Sequence, residues 1–369
     1  MVDRKALGWR GLVLGVVWLL ALSACGTQPA AEGSDAAESP ADGADFGAPE
    51  QQKLTVALPF PDTSFMAFMV AIEEGYFADE GLTIEELVTV DDTRAALMSD
   101  SADVAVIDAA GAYHAAAEDL PVSVFAGNFC RQQYSFAAQP EIASVEDLAG
   151  KDVILGGSAG DTTELEGRKV LAEEGWSLEG VGVNPVYVGY DSATWAEFFA
   201  ADRVALTQFF SEDKPVLLEA GAKIIVDEIR QWPNNMLAAR DDWLKENPNT
   251  ARRFLRAMMR AVDFVTAPAL GEPLENWDRI LDIVEKHGFE VDDLRSLTEE
   301  ESVYVLGENN LCKNLYYDEA AWNLTIENQQ LEPVPFEDGA NIEALLAAQE
   351  SLGLDNSAAE EIPWTPAGS

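Results

Sequence analysis

Apolar positions along this chain follow two rhythms, and the rhythm changes once. From residue 54 to about residue 226, short β-rich apolar runs alternate with stretches of helical spacing; beyond about residue 241 only the helical spacing is left. The first strand is predicted over 54–58, where Leu54, Thr55, Val56, Ala57 and Leu58 precede Pro59. Asp62, Thr63 and Ser64 then offer N-cap oxygens. Phe65, Met66, Phe68, Met69 and Ile72 trace the buried side of a helix that ends near Gly75. Strands are predicted over 82–88, 103–107 and 122–126, with helices over 93–98 and 109–117 between them. The pattern restarts after Ala138. There the expected strands are 152–155, 186–188, 204–209 and 223–226, with helices over 162–174, 193–200 and 214–219. Such alternation predicts two units of parallel βαβ type. In the last third, Phe254, Leu255, Met258, Met259 and Val262 recur at helical steps, as do Trp277, Ile280, Leu281 and Val284. Helices with no sheet of their own are expected to pack back on the first α/β unit. No repeat of fixed period is visible.

The two ends of the chain read differently from its body. Arg4, Lys5 and Arg10 precede an apolar run over 12–22, too short to cross a bilayer, and then come Leu22, Ser23, Ala24 and Cys25. That order is a secretory signal over 1–24, and its last four residues resemble the lipobox of bacterial lipoproteins. The resemblance implies cleavage before Cys25 and a lipidated Cys25 that anchors the chain to the outside of the cell membrane, since two acyl chains hold durably where one does not. An uncleaved anchor, or an ordinary signal with a chance cysteine, is the alternative. Residues 25–52 are mostly small and polar and are expected to form a disordered tether; 356–369 reads as a disordered tail. The body between them, 53–355, is long enough for two domains.

Composition narrows the partners. With 66 acidic and 23 basic residues the formal charge is −43, which repels nucleic acid and anionic lipid heads. Such a surface suits saline surroundings and equally an acidic secreted protein. Apart from Cys25 the cysteines are Cys130 and Cys312, a possible disulfide outside the cell if the chain returns to its first unit. The only histidines are His114 and His287, and no Cys/His spacing suits zinc, so neither metal nor cofactor is expected.

Ligands of open α/β sheets sit beyond the carboxyl ends of strands. That rule selects Phe60, Asp62, Ser64 and Phe65 after the first strand, Asp108 after the third, and Phe129, Arg131 and Tyr134 after the fourth. In the second unit it selects Ser158, Asp161 and Thr162, then Tyr190, Phe209 and Trp232. Two chemistries compete. Helix starts at Ser64 and Thr162, helped by a forked Arg131, would suit a carboxylate or sulfonate. The aromatics Phe60, Phe129, Tyr134, Tyr190, Phe209 and Trp232 would instead enclose a ring or an apolar body. We favour a small organic solute with a ring or apolar portion. Gly156, Gly157, Ser158, Ala159 and Gly160 also fit the G-x-S-x-G hydrolase elbow, but His287 is the only later histidine and the elbow stands too early for a hydrolase sheet. It is not a phosphate-binding Walker loop, since no Gly-Lys-Ser/Thr follows.

Four segments carry a family resemblance. Residues 71–82 hold Gly75, Tyr76 and Phe77 followed by Glu80, Gly81 and Leu82; Ala102, Asp103, Val104 and Ala105 come next; Asp147, Leu148, Gly150 and Lys151 open the second unit; and the glycine-rich loop over 155–163 follows. In this order they resemble the solute-binding proteins of ABC importers for nitrate, sulfonates, taurine and thiamine-pyrimidine precursors. The match runs over about 54–226 and departs at 200–205, where the family's Gly-x-x-Asp-Ala run is replaced by Ala200, Ala201, Asp202, Arg203, Val204 and Ala205. The resemblance implies an α/β, two-lobed type-2 periplasmic-binding fold. Lobe 1 would comprise 53–137 plus 239–355, with the C-terminal helices packed on it, and lobe 2 would comprise 138–238. Hinge crossings would lie near 136–139 and 234–239, with the ligand gripped by closure. It further implies ABC permease subunits as partners, attachment to the membrane by lipid only, a monomer, no nucleic acid and no catalysis. A ligand-sensing lipoprotein without transport is the alternative.

Overall fold

The longest strands of this protein are the ones its sequence hides. β4 runs over Val122–Ala138 and β8 over Lys223–Arg240, paired antiparallel along most of their length. Both carry polar residues mid-strand: Asn128, Arg131, Gln132 and Gln133 in β4, and Asn234 and Asn235 in β8. These interruptions break the apolar pattern, so only the apolar ends, 122–126 and 223–226, read as strands. In the fold those polar residues are buried.

The structure is a computed structural model that describes residues 46–60, 63–210, 213–266, 276–289, 291, 295, 311–329 and 331–357, the side chains of Ile229, Gln231 and Trp232 excepted. The lipidation motif at Cys25 and the tail beyond 357 lie outside the described residues. The remaining strands are β1 (Lys53–Leu58), β2 (Thr83–Thr89), β3 (Val104–Asp108), β5 (Asp152–Ile154), β6 (Asn184–Pro185) and β7 (Leu206–Phe209). The strand expected over 186–188 is replaced by the two-residue β6 just before it. The described strands form one sheet in the order β2-β1-β3-β8-β4-β7-β5-β6. Each end is parallel, β2-β1-β3 on one side and β7-β5-β6 on the other, and the antiparallel β8-β4 pair joins them. The βαβ reading therefore holds at both ends and fails in the middle.

Helices α1 (Met66–Glu73), α2 (Tyr76–Asp79), α3 (Thr93–Met98) and α4 (Ala109–Ala117) belong to the first end; α5 (Thr162–Glu173), α6 (Ser192–Ala200) and α7 (Lys214–Glu219) belong to the second. The C-terminal helices are α8 (Asp241–Glu246), α9 (Pro248–Val265), α10 (Trp277–Lys286), α11 (Glu319–Asn328), α12 (Phe336–Gly339) and α13 (Glu343–Leu352). One apolar core joins Leu54, Val56, Phe68 and Val106 to Phe254, Leu281, Trp322 and Leu345, so these helices do pack on the first end. Two separate clusters, around Phe136, Leu155 and Leu171 and around Ile154, Trp195 and Phe209, sandwich the second end.

Residues 46–52, read from sequence as tether, are fastened to α8 and α9. The Glu50 carboxylate accepts from the Thr250 N–H at 2.9 Å, and the Trp243 indole donates to Gln51 at 2.9 Å. Phe46 lies beneath the Arg252 and Arg256 guanidinium groups. The signal for this was Phe46 itself, the lone large apolar side chain in a polar stretch.

Cys130 and Cys312 are joined by a disulfide, with Cα atoms 4.7 Å apart. It fixes the C-terminal segment against β4 beside register shifts on both sides of Phe129. The Cys312 N–H also donates to Asn128 O at 2.8 Å. Gly127 makes the close approach possible: a Cβ there would stand 2.1 Å from Tyr316 O.

Glu166 on α5 is fully buried, and burial pushes its pKa up to about 8 against the partial help of Lys169 and Gln329. The folded chain therefore holds a proton there that the unfolded chain releases near its ordinary value. Stability should fall as pH rises from about 4.5 through about 8. Glu166→Gln should remove that part of the slope and raise stability at pH 8 by roughly 1–2 kcal/mol, measured by urea unfolding across pH. Equal slopes in the two proteins would contradict this.

Candidate functional site

A cleft of about 860 Å³ opens where the carboxyl ends of β1, β2, β3 and β5 face one another. β1 leads to Phe60, Thr63 and Ser64; β2 to Asp91, Asp92 and Arg94; β3 to Asp108 and His114; β5 to Gly157, Ser158, Asp161 and Thr162. Tyr190, Trp195 and Phe210 complete the second end's contribution. The crossing strands add Phe129, Gln132 and Gln133 from β4 and Asn234 and Asn235 from β8. Apart from Phe129, this side of the cleft is thus made of neutral amides, all less than a tenth exposed.

A chain of aromatic contacts runs from the cleft rim into the apolar core. Phe60 stacks on Tyr190 across the cleft, centroids 5.2 Å apart and planes at 22°. Phe60 also tilts against Phe65, and Phe65 stacks on Phe129 at 5.5 Å. Tyr190 is 39 % exposed, which puts the Phe60–Tyr190 pair at the rim. Gly157 permits this placement, since a Cβ there would lie 2.4 Å from the Tyr190 ring.

The helix starts that face the cleft carry their own anions. Asp92 caps α3 through Ala95 N–H at 2.9 Å, and Asp108 caps α4 through Gly111 N–H at 2.9 Å. Asp161 caps α5 through Glu164 N–H at 2.7 Å and also takes Ser158 N–H at 2.8 Å. Burial pushes the Asp161 pKa up, and these backbone donors oppose the shift. Thr162 ties the two sides together: its hydroxyl donates to Asp108 at 3.0 Å and accepts from Ala110 N–H at 3.1 Å. Gln329, just past α11, reaches the same hydroxyl at 3.4 Å.

Of the residues chosen from sequence, Phe60, Ser64, Asp108, Phe129, Ser158, Asp161, Thr162 and Tyr190 border the cleft. Phe65, Tyr134 and Phe209 do not: each is packed into an apolar core. Along β4, Gln132 and Gln133 border the cleft while Tyr134 points into the second end's core. Arg131 is 5 % exposed and does not border the cleft, so it offers no fork to an anion there. The start of α5, where an anion was expected, holds the chain's own Asp161, whose carboxylate accepts from the Glu164 N–H of the first turn and from the Ser158 N–H in the loop before it. The Ser64 start also differs: Thr63–Phe65 is a short 3-10 turn, and α1 begins at Met66 behind Phe65 with no side-chain cap. Asp62 and the Trp232 side chain lie outside the described residues.

Sequence reading missed Asp91, Asp92 and Arg94, though the carboxyl-end rule applied to β2 finds them. It missed Asn234 and Asn235 as site residues because only 223–226 of β8 read as a strand. The hydrolase elbow has no histidine partner among the described residues. Ser158 Oγ shares a hydrogen bond with Tyr190 Oη at 3.0 Å, and His287 Nε2 lies 3.2 Å from Glu73.

The family model described as NMT1/THI5 like matches residues 62–269, more than half of the chain. The chain belongs to this NMT1/THI5-like family. A curated relative is the riboflavin-binding protein RibY of Chloroflexus aurantiacus, 25 % identical over 290 residues, which are 74 % of this chain and 78 % of that protein. Among solved structures, the putative periplasmic sulfonate-binding protein SsuA of Methylobacillus flagellatus is similar at TM-score 0.59 and 17 % identity, covering 85 % of this chain and 99 % of its own. The periplasmic nitrate-binding protein NrtA of Synechocystis is similar at TM-score 0.59 and 14 % identity, covering 83 % and 90 %. At these identities the likeness is one of fold. This NMT1/THI5-like chain has the α/β periplasmic-binding fold that the sequence resemblance implied.

Proposed function

We propose that this protein is the extracytoplasmic solute-binding component of an ABC-type importer, held to the membrane by a lipid on Cys25. Its cleft takes up a flat, uncharged heterocycle and closes over it without changing it. The family and the fold support the general role. The observation that carries the ligand class is the pairing of stacked rings at the rim, Phe60 on Tyr190, with a side built from Gln132, Asn234 and Asn235, while the neighbouring Gln133 amide is bonded to Ser135 and Asp227. Rings offer faces for stacking, and carboxamides offer both donors and acceptors to the edge of a heterocycle. The cleft volume lies in the range that encloses a molecule of drug size. The relative named for riboflavin, a flat ring with donors and acceptors along its edge, fits this class. Phe60 lies after β1 and Tyr190 after β6, one in each α/β unit, so a hinge motion would part the two rings and admit the solute.

A thermal-shift screen of flavins, pyrimidines, pyridines, aliphatic sulfonates and nitrate tests this. At a hundredfold its Kd a ring solute should add about 2.7 kcal/mol, and mass spectrometry should recover it unaltered. Stabilisation by nitrate or sulfonates alone, or conversion of the solute to a product, would overturn the proposal.

A further inference from the structure

We infer that the cleft selects against anionic groups through Asp92, Asp108 and Asp161, so that a ring solute bearing a phosphate or sulfonate is refused where its uncharged counterpart binds. This rests on the reading of the cleft as a ring-binding site. A helix start attracts an anion by two means, its unsatisfied N–H groups and the positive end of its dipole. The chain itself draws on both here. At α3, α4 and α5 one of its own carboxylates accepts an exposed N–H of the first turn. Each carboxylate also brings a whole negative charge against roughly half a positive charge from the dipole. The net sign at each of these helix starts is therefore negative, and all three border one cleft.

Nothing close by reverses that sign. Asp91 adds a fourth carboxylate to the border, and Arg94 is the one guanidinium among the described residues there. Arg94 lies against the first turn of α4, its Nη1 3.5 Å from Gly111 O, and offsets one of the four carboxylate charges. The remaining polar border consists of hydroxyls, His114 and the amides of the crossing strands, which serve uncharged edges.

The test is calorimetric titration of the full chain with matched pairs at low salt and at 1 M salt. The probes are riboflavin and riboflavin 5′-phosphate, uridine and uridine 5′-monophosphate, and pyridoxine and pyridoxine 5′-phosphate. For whichever ring binds, the phosphate ester should bind at least about tenfold more weakly at low salt, and the gap should narrow at 1 M salt, where charge is screened. In the double variant Asp108→Asn/Asp161→Asn, whose carboxamides still cap the helices, the ratio of the two affinities should fall about tenfold. A gap that arose from the bulk of the phosphate would respond to neither salt nor variant, and that result overturns the inference. Equal binding of ester and parent overturns the inference and leaves the ring reading standing. Binding of sulfate or nitrate without any ring solute, or of none of these probes, overturns both.

Discussion

Replacing Cys130 and Cys312 together by serine is expected to destabilise the fold by about 2–5 kcal/mol, seen as a lower urea midpoint with the protein otherwise folded. The size follows from chain entropy. The bond closes a loop spanning 182 positions, and a cross-link over so long a loop removes many conformations from the unfolded chain. The location adds a second consequence. Cys130 lies on β4 next to Phe129, which borders the cleft, and Leu311 bridges to Phe129 on the same stretch. The bond therefore also braces one wall of the cleft, and the reduced protein should bind its solute more weakly. An unchanged urea midpoint in the double variant would show that the bond contributes nothing to the folded state.

Removing the rings at the rim is the second large effect. Phe60→Ala/Tyr190→Ala should lower solute affinity by about 2 kcal/mol, some thirtyfold, with little change in the melting temperature of the free protein. Stacking on an aromatic face contributes on this scale, and both side chains are partly exposed, so their loss leaves no cavity in a core. Tyr190 also meets Ser158 Oγ, so Tyr190→Phe separates the hydroxyl from the ring. The account expects Tyr190→Phe to keep most of the affinity. An affinity in the double variant equal to that of the parent would remove these rings from the ligand's surroundings.

How far the sequence foretold all this depends on what each element is made of. Apart from β6, the parallel strands at both ends of the sheet are short runs bounded by Pro, Gly or Asp, and the period-2 rhythm found them with shifts of a residue or two. Helices α9 and α10 were equally legible because each buries one continuous stripe. The crossing strands were not. Their amides are buried because the strands pass under a cleft, and that reason lies in tertiary structure, invisible to a reading of local pattern. The same blindness explains the site. The carboxyl-end rule found loops correctly, yet it could not say which way a side chain turns, and it admitted Tyr134 and Phe209 along with Phe129. Nor could it tell a free helix start from one already capped. Asp161 precedes Thr162 in plain view, and an aspartate at an N-cap position was the signal that should have argued against an anion there.

The claim at the centre is that a cleft between two α/β units holds a flat, uncharged ring and leaves it intact. A crystal structure of the protein with the solute that stabilises it most tests this directly. The account predicts the ring stacked against Phe60 or Tyr190, its edge hydrogen-bonded to the amides of Gln132, Asn234 or Asn235, and Asp108 still bonded to Thr162. Density for the solute on another face, or a charged group of the ligand seated at the start of α4 or α5 with Asp108 or Asp161 displaced, would contradict it.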